Sequence, residues 1–137
     1  MLSLQKNFGY TQNAQSQAVS FGSANAAGNG LIVVGYFACT QPNPNANLSI
    51  ADSVGNTYTR VGGCGGSGGD EWASLLEIWY VGSCKAGANT VTVTETTPNL
   101  TPLVTALAIF EYQGGFSGLD VASFATGLRS ASLSVRV

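Results

Sequence analysis

Trp72-Ala-Ser-Leu-Leu-Glu-Ile-Trp-Tyr-Val-Gly-Ser-Cys-Lys-Ala-Gly-Ala-Asn-Thr-Val-Thr-Val-Thr-Glu95 decides how this 137-residue chain is read. Residues 74–81 are apolar and aromatic on both faces, whereas in residues 90–95 Val and Thr alternate strictly, the mark of a half-buried strand. The stretch reads as a hairpin of one central strand and one partner facing water, joined by the turn Gly82-Ser-Cys-Lys-Ala-Gly87.

Working outward, Leu31-Ile-Val-Val-Gly-Tyr-Phe-Ala-Cys39 is again apolar on both faces and reads as a second central strand. Residues 103–112 are a third such run. Their length admits a helix, but Pro102 and Gly114-Gly115 bracket ten residues that fit a strand crossing a sandwich. Shorter strands are expected at residues 18–21, at 48–51 and 57–61 as a hairpin tipped by Gly55-Asn56, and more weakly at 118–125 and 131–137. Between them lie Pro/Asn-rich loops, in which proline has no ladder donor. Gly62-Gly-Cys-Gly-Gly-Ser-Gly-Gly69 reads either as a mobile lid or as backbone held very close to something. Residues 1–17 are polar, with Phe8 and Tyr10 their large aromatic groups, and read as an arm preceding a single domain at 18–137. With no amphipathic helix, the expected fold is all-β, a two-sheet antiparallel sandwich of about eight strands.

A chain of this length buries roughly two-thirds of its unfolded surface in one domain and needs no metal or disulfide to hold it. Charged residues are only 9%, far below the ~25% of ordinary domains, so the surface is neutral and polar. Such surfaces suit extracellular or cell-surface proteins and subunits packed against copies of themselves. The net charge is −2 and the five basic residues are scattered, which argues against nucleic acid as a partner. The longest apolar run is about half the ~20 residues a membrane helix needs. The N-terminus lacks the charged-then-apolar pattern of a signal peptide, so an exported form is expected to have lost its signal or to begin after it.

No histidine is present, which removes Ser-His and Cys-His nucleophiles. Three cysteines allow at most one internal disulfide, so the expectation is one bridge with a leftover thiol or three reduced thiols; if a bridge forms, Cys39 to Cys64 is the favoured pair, each placed at or just past the end of a strand. Cysteine spacing matches no metal motif, and a calcium site from Asp52, Asn56 or Asp70 has no supporting spacing, so neither metal nor cofactor is expected. Asp70-Glu71 is formally a carboxylate pair, but adjacent strand residues face opposite ways, so the two read as solvated loop acids. Glu77 and Glu111 lie inside apolar strands, Glu77 on the face of Leu75 and Trp79, Glu111 on that of Leu107 and Ile109. A buried carboxylate is costly unless hydrogen-bonded or paired, so each is expected to face solvent or to be tied to backbone amides of a neighbouring loop, the alternative being a ligand or subunit contact. Trp72, beside the glycine run, with Asp70 and Tyr58, forms the candidate ligand-binding set, since aromatic faces with polar edges suit sugar rings.

Ala27-Gly-Asn-Gly-Leu-Ile-Val-Val34, Ile50-Ala-Asp-Ser-Val-Gly-Asn-Thr-Tyr-Thr59 and Ile78-Trp-Tyr-Val-Gly-Ser-Cys-Lys-Ala-Gly-Ala-Asn-Thr-Val-Thr-Val93 stand beside Phe110-Glu-Tyr-Gln-Gly-Gly115 and Leu119-Asp120. Together they resemble bacterial secreted or surface β-sandwich domains, Ig-like or jelly-roll-like, that occur as repeats in large proteins without an assigned activity. The resemblance covers residues 18–120 and implies fold rather than function. Such domains continue beyond the Leu-Asp step with further strands, whereas this chain ends at Val137, so an open sheet edge is expected. The functional expectation is a non-catalytic structural or interaction module at the cell surface or outside it, self-associating as a homo-oligomer through strand edges. The alternative is a carbohydrate-binding module with a polysaccharide partner.

Overall fold

The computed structural model describes residues 2–40, 46–67, 73–117, 121–125 and 132–136. They form ten strands: β1 (Ser3–Gln12), β2 (Ser16–Ser20), β3 (Gly30–Cys39), β4 (Leu48–Asp52), β5 (Thr59–Ser67), β6 (Ala73–Val81), β7 (Thr90–Glu95), β8 (Pro102–Tyr112), β9 (Val121–Ala125) and β10 (Ser132–Arg136). Eight of them make two antiparallel sheets, ordered β1-β8-β3-β6-β5 and β2-β7-β4, and β9 and β10 pair as a separate hairpin. The fold is the expected all-β sandwich.

The runs that are apolar on both faces, β3, β6 and β8, occupy the middle of the larger sheet. Their odd-numbered side chains meet the smaller sheet. Leu31, Val33, Trp79, Val81, Leu107 and Ile109 pack there on Val19, Val91 and Val93, with Leu48 and Ile50 at the margin. Gly35 makes room for this packing, since a Cβ on it would lie 3.1 Å from both the Trp79 ring and Val93. Alternation in β7 is as its sequence implies: Val91 and Val93 are fully buried and Thr90, Thr92 and Thr94 half-buried.

Strand pairing differs from the sequence reading in two places. The stretch from Trp72 to Glu95 is not a hairpin: β6 pairs with β3 and β5, whereas β7 pairs with β2 and β4 in the facing sheet. Likewise β4 and β5 lie in different sheets rather than pairing across Gly55. Among the first eight strands only the β5–β6 connection stays within one sheet; the others are arches that cross the core. Residues 1–17 are not an arm either. They supply β1, paired with β8, and the start of β2.

The Cys39–Cys64 bridge is not formed. Cys64 lies within β5, and both residues align on β6, Cys39 opposite Ala73 and Cys64 opposite Leu76. Alternation along β6 sends those two positions to opposite faces of the sheet, so no rotamer brings the sulfurs together. Cys39 is in the core with Phe37, Ala73 and Leu100. Of the glycine run, Gly62 to Gly66 belong to β5, and Gly63 fits the close-approach reading: a Cβ there would lie 2.6 Å from the Leu76 carbonyl oxygen and from Glu77 Cγ. Gly68 and Gly69 lie outside the described residues.

Candidate functional site

Half-buried and buried acids organise one end of the sandwich. Asp52, at the end of β4, accepts from the Asn56 backbone N–H at 2.9 Å, from Asn56 Nδ2 at 2.7 Å, from the Tyr58 hydroxyl at 2.8 Å and from Asn89 Nδ2 at 3.0 Å. Burial works against its charge, but these hydrogen bonds outweigh it and hold the carboxyl below its usual range. The same contact fixes Tyr58. Its ring packs on the core and its phenol is pushed up, first by burial and then by the hydrogen bond to Asp52.

Glu111, on the inner face of β8, plays the matching part for the loop before β3. It accepts from Asn25 Nδ2 at 2.9 Å, the Ala26 N–H at 3.1 Å, Asn29 Nδ2 at 2.7 Å and Gln5 Nε2. Burial opposes ionisation here too, and the donors from Gln5, Asn29, Asn25 and Ala26 reverse the balance, lowering its pKa. Cys84 lies near both acids and donates to the Ala26 carbonyl at 3.3 Å; burial, then the charge of Glu111, push its thiol up and keep it un-ionised. Glu77 is buried and paired with Arg60, whose Nε reaches it at 2.7 Å. Glu111 is thus tied to a neighbouring loop, as expected, whereas Glu77 is buried by pairing with Arg60, a partner the sequence does not single out. Glu95 was not signalled as buried, although it shares the inward parity of Val91 and Val93 in β7; its Oε1 accepts from Thr97 N–H at 2.7 Å and its Oε2 is buried without a hydrogen bond. Asp52, Glu95 and Glu111 thus hold loops in place, whereas Glu77 pairs with Arg60 of β5.

Of the expected ligand-binding set, Tyr58 is committed to Asp52 and the core, and Asp70 and Trp72 lie outside the described residues, as does Glu71. Among the described residues no group of three His, Cys, Asp or Glu side chains is arranged to hold a metal, and no helix is long and apolar enough to cross a membrane.

The surface that stands out is one the composition concealed. β1 is an edge strand whose alternation is reversed. Its inward side is polar: Gln5 reaches Glu111, Asn7 Nδ2 donates to the Ser20 carbonyl at 2.8 Å, and the Thr11 hydroxyl donates to Gln17. Outward, Leu4 is exposed and Phe8 and Tyr10 are 61% and 62% exposed, their ring centroids 6.3 Å apart. Leu2 and Leu103 are also exposed. The outer face stays apolar across the sheet: Phe8 aligns with Ala108, Val34 and Ile78, and Tyr10 with Ala106, Tyr36 and Leu76. Exposure along the first row falls from Phe8 through half-buried Ala108 and Val34 to Ile78 at 2%. The face is therefore screened toward β5, where β9 lies alongside, and open toward β1. The signal was present as period two in Leu4, Lys6, Phe8, Tyr10, but polar neighbours masked it. Comparison with protein-family models, with curated proteins and with solved structures returns no match for this chain.

Proposed function

We propose that this domain is a non-catalytic structural or interaction module that associates with further protein through its β1 edge, forming homo-oligomers in an extracellular or cell-surface setting. The observation that carries the reading is the reversed alternation of β1. A soluble sheet edge is ordinarily short, bulged or charged, whereas β1 runs from Ser3 to Gln12, its one register shift confined to Ser3 to Gln5 and its one charge to Lys6, with Leu4, Phe8 and Tyr10 turned to solvent. Water-facing apolar groups in a contiguous stripe are the signature of a contact surface. The non-catalytic part is supported by the absence of histidine and by the engagement of Asp52, Glu77 and Glu111 in internal hydrogen bonds. The setting is supported by the 9% charged composition. Sedimentation equilibrium over a wide concentration range tests it: an average mass rising above the monomer's with concentration is expected, and a monomer throughout would sink the reading.

A further inference from the structure

We infer that the partner taken by the β1 edge is a second copy of this chain, added antiparallel about a two-fold axis at Phe8, so that two five-stranded sheets merge into one of ten. The inference rests on the self-association reading and gives it a geometry. The other edges fit a second copy less well: β5 is flanked by β9, β2 is packed beneath β1 and β8, and β4 is only five residues long with Ser49 and Ala51 outward.

Backbone direction makes β1 competent. Asn13 N–H donates to the Leu103 carbonyl at 3.1 Å, in the same register as the β1–β8 ladder beyond its bulge at Ser3 to Gln5. Bonded and non-bonded pairs alternate along an antiparallel ladder. Odd residues of β1 therefore bond to β8, and Lys6, Phe8, Tyr10 and Gln12 turn their N–H and C=O groups to the open edge. Phe8 bears this out: its N–H is taken by Asn7 Oδ1 at 2.9 Å. An added strand would displace that local bond and meet the same even residues whose side chains form the exposed apolar row.

Among axes that pass through an even residue, the side chains then select the register. An axis at Lys6 would set two ammonium groups opposite each other, which is destabilising. An axis at Tyr10 would leave Leu4 and Lys6 beyond the partner strand. With the axis at Phe8 every residue from position 4 to 12 is opposed: Phe8 meets its own copy, Lys6 lies across from the Tyr10 ring, and Leu4 from Gln12. An aromatic pair at the centre and a cation over an aromatic face on each side are favourable cross-strand contacts. Lys6, which on an isolated edge discourages pairing, becomes part of the match. A net charge of −2 on each copy adds little repulsion.

Sedimentation of the wild type beside Phe8→Asp, Tyr10→Lys and the double variant Lys6→Glu/Tyr10→Lys tests this. The wild type is expected to dimerise. Phe8→Asp, which opposes two carboxylates at the axis, should weaken the dimer by about a hundredfold, and Tyr10→Lys, which opposes lysines on both sides, by about tenfold. The double variant places opposite charges across the strands and should regain most of that loss. Phe8 and Tyr10 are exposed, so circular dichroism should stay at the wild-type values, as should the thermal midpoint at dilutions where wild type and variants are monomeric. A wild type that is monomeric throughout overturns both this inference and the self-association reading. A dimer indifferent to Phe8→Asp overturns pairing through β1, here and in the proposed function, and leaves self-association through another edge. Dissociation by Phe8→Asp without recovery in the double variant overturns the register centred on Phe8.

Discussion

β1 and β7 are both period-two strands of this sandwich, and they obey opposite rules. In β7 Val91 and Val93 point to the core and threonines to the outside; in β1 Gln5, Asn7 and Thr11 point inward and Leu4, Phe8 and Tyr10 outward. The centre of the small sheet is held by burial, as it must be where both neighbours are strands. β1 lies over the small sheet's edge, where β2 offers the Ser20 carbonyl and Gln17, and hydrogen bonds replace apolar contact. Polar anchoring on the inside frees the apolar side for something beyond the chain. Alternation therefore reports which face is apolar, and not which face is the core.

Aspartate placed on the apolar side of each strand should break the comparison most visibly. Val93→Asp puts an unpaired carboxylate among Leu31, Trp79 and Leu107 and should cost more than about 4 kcal/mol, leaving a chain without a cooperative urea transition. The aspartate at position 8 should leave the monomer's transition where it was.

Next in size is the polar anchoring itself. Glu111→Gln keeps shape but turns an amide N–H₂ toward the donors of Asn25, Asn29 and Gln5, and should cost roughly 2–4 kcal/mol in urea unfolding. Both Asp52 and Glu111 are depressed in the folded state, so their contribution is complete above the unfolded carboxylate range of about 4 and is lost as pH falls through the folded values. The thermal midpoint should be flat from about pH 7 to 5 and fall steadily below about pH 4. In Glu111→Gln that acid fall should be shallower, because one of the two groups no longer titrates.

How much of this was legible follows from what each signal encodes. The both-face apolar runs of β3, β6 and β8 placed those strands in the middle of a sheet, and Pro102 with Gly114-Gly115 correctly marked β8 as a strand. Pairing was not legible. A strand, a six- to eight-residue turn and a strand have the same sequence signature whether the chain folds back or arches to the facing sheet; only tertiary hydrogen bonds, such as Cys84 N–H to the Asn29 carbonyl at 2.8 Å and Phe116 N–H to the Gly82 carbonyl at 2.7 Å, make the β6–β7 link an arch. The relation of Cys39 to Cys64 was not legible for the same reason, since facing depends on register across β6. β1 is hidden in the sequence because polar composition signals solvation, whereas its polar residues bond inward. The carboxylates at 77 and 111 were legible as anomalies, though not their partners.

Gly63→Ala probes whether β5 holds its pairing by the same closeness. The new methyl would meet a carbonyl oxygen and the Glu77 stem at 2.6 Å, so β5 must shift or Arg60 must release Glu77, at about 1–3 kcal/mol. A cost near zero would mean the β5 edge yields easily.

The smallest effect on the folded monomer should come from Phe8→Ser with Tyr10→Ser. Both rings are mostly in water, so removing them forfeits little burial, and serine keeps the backbone free to pair. The monomer's unfolding free energy should move by less than about 0.5 kcal/mol, with an unchanged urea slope. Serine for valine at 91 and 93, the matching change in β7, empties two fully buried positions and buries two hydroxyls in a core without partners for them. If the β1 pair proved as costly as the β7 pair, Phe8 and Tyr10 would be core residues of this chain, and the distinction between a strand held by burial and one held by hydrogen bonds would be lost.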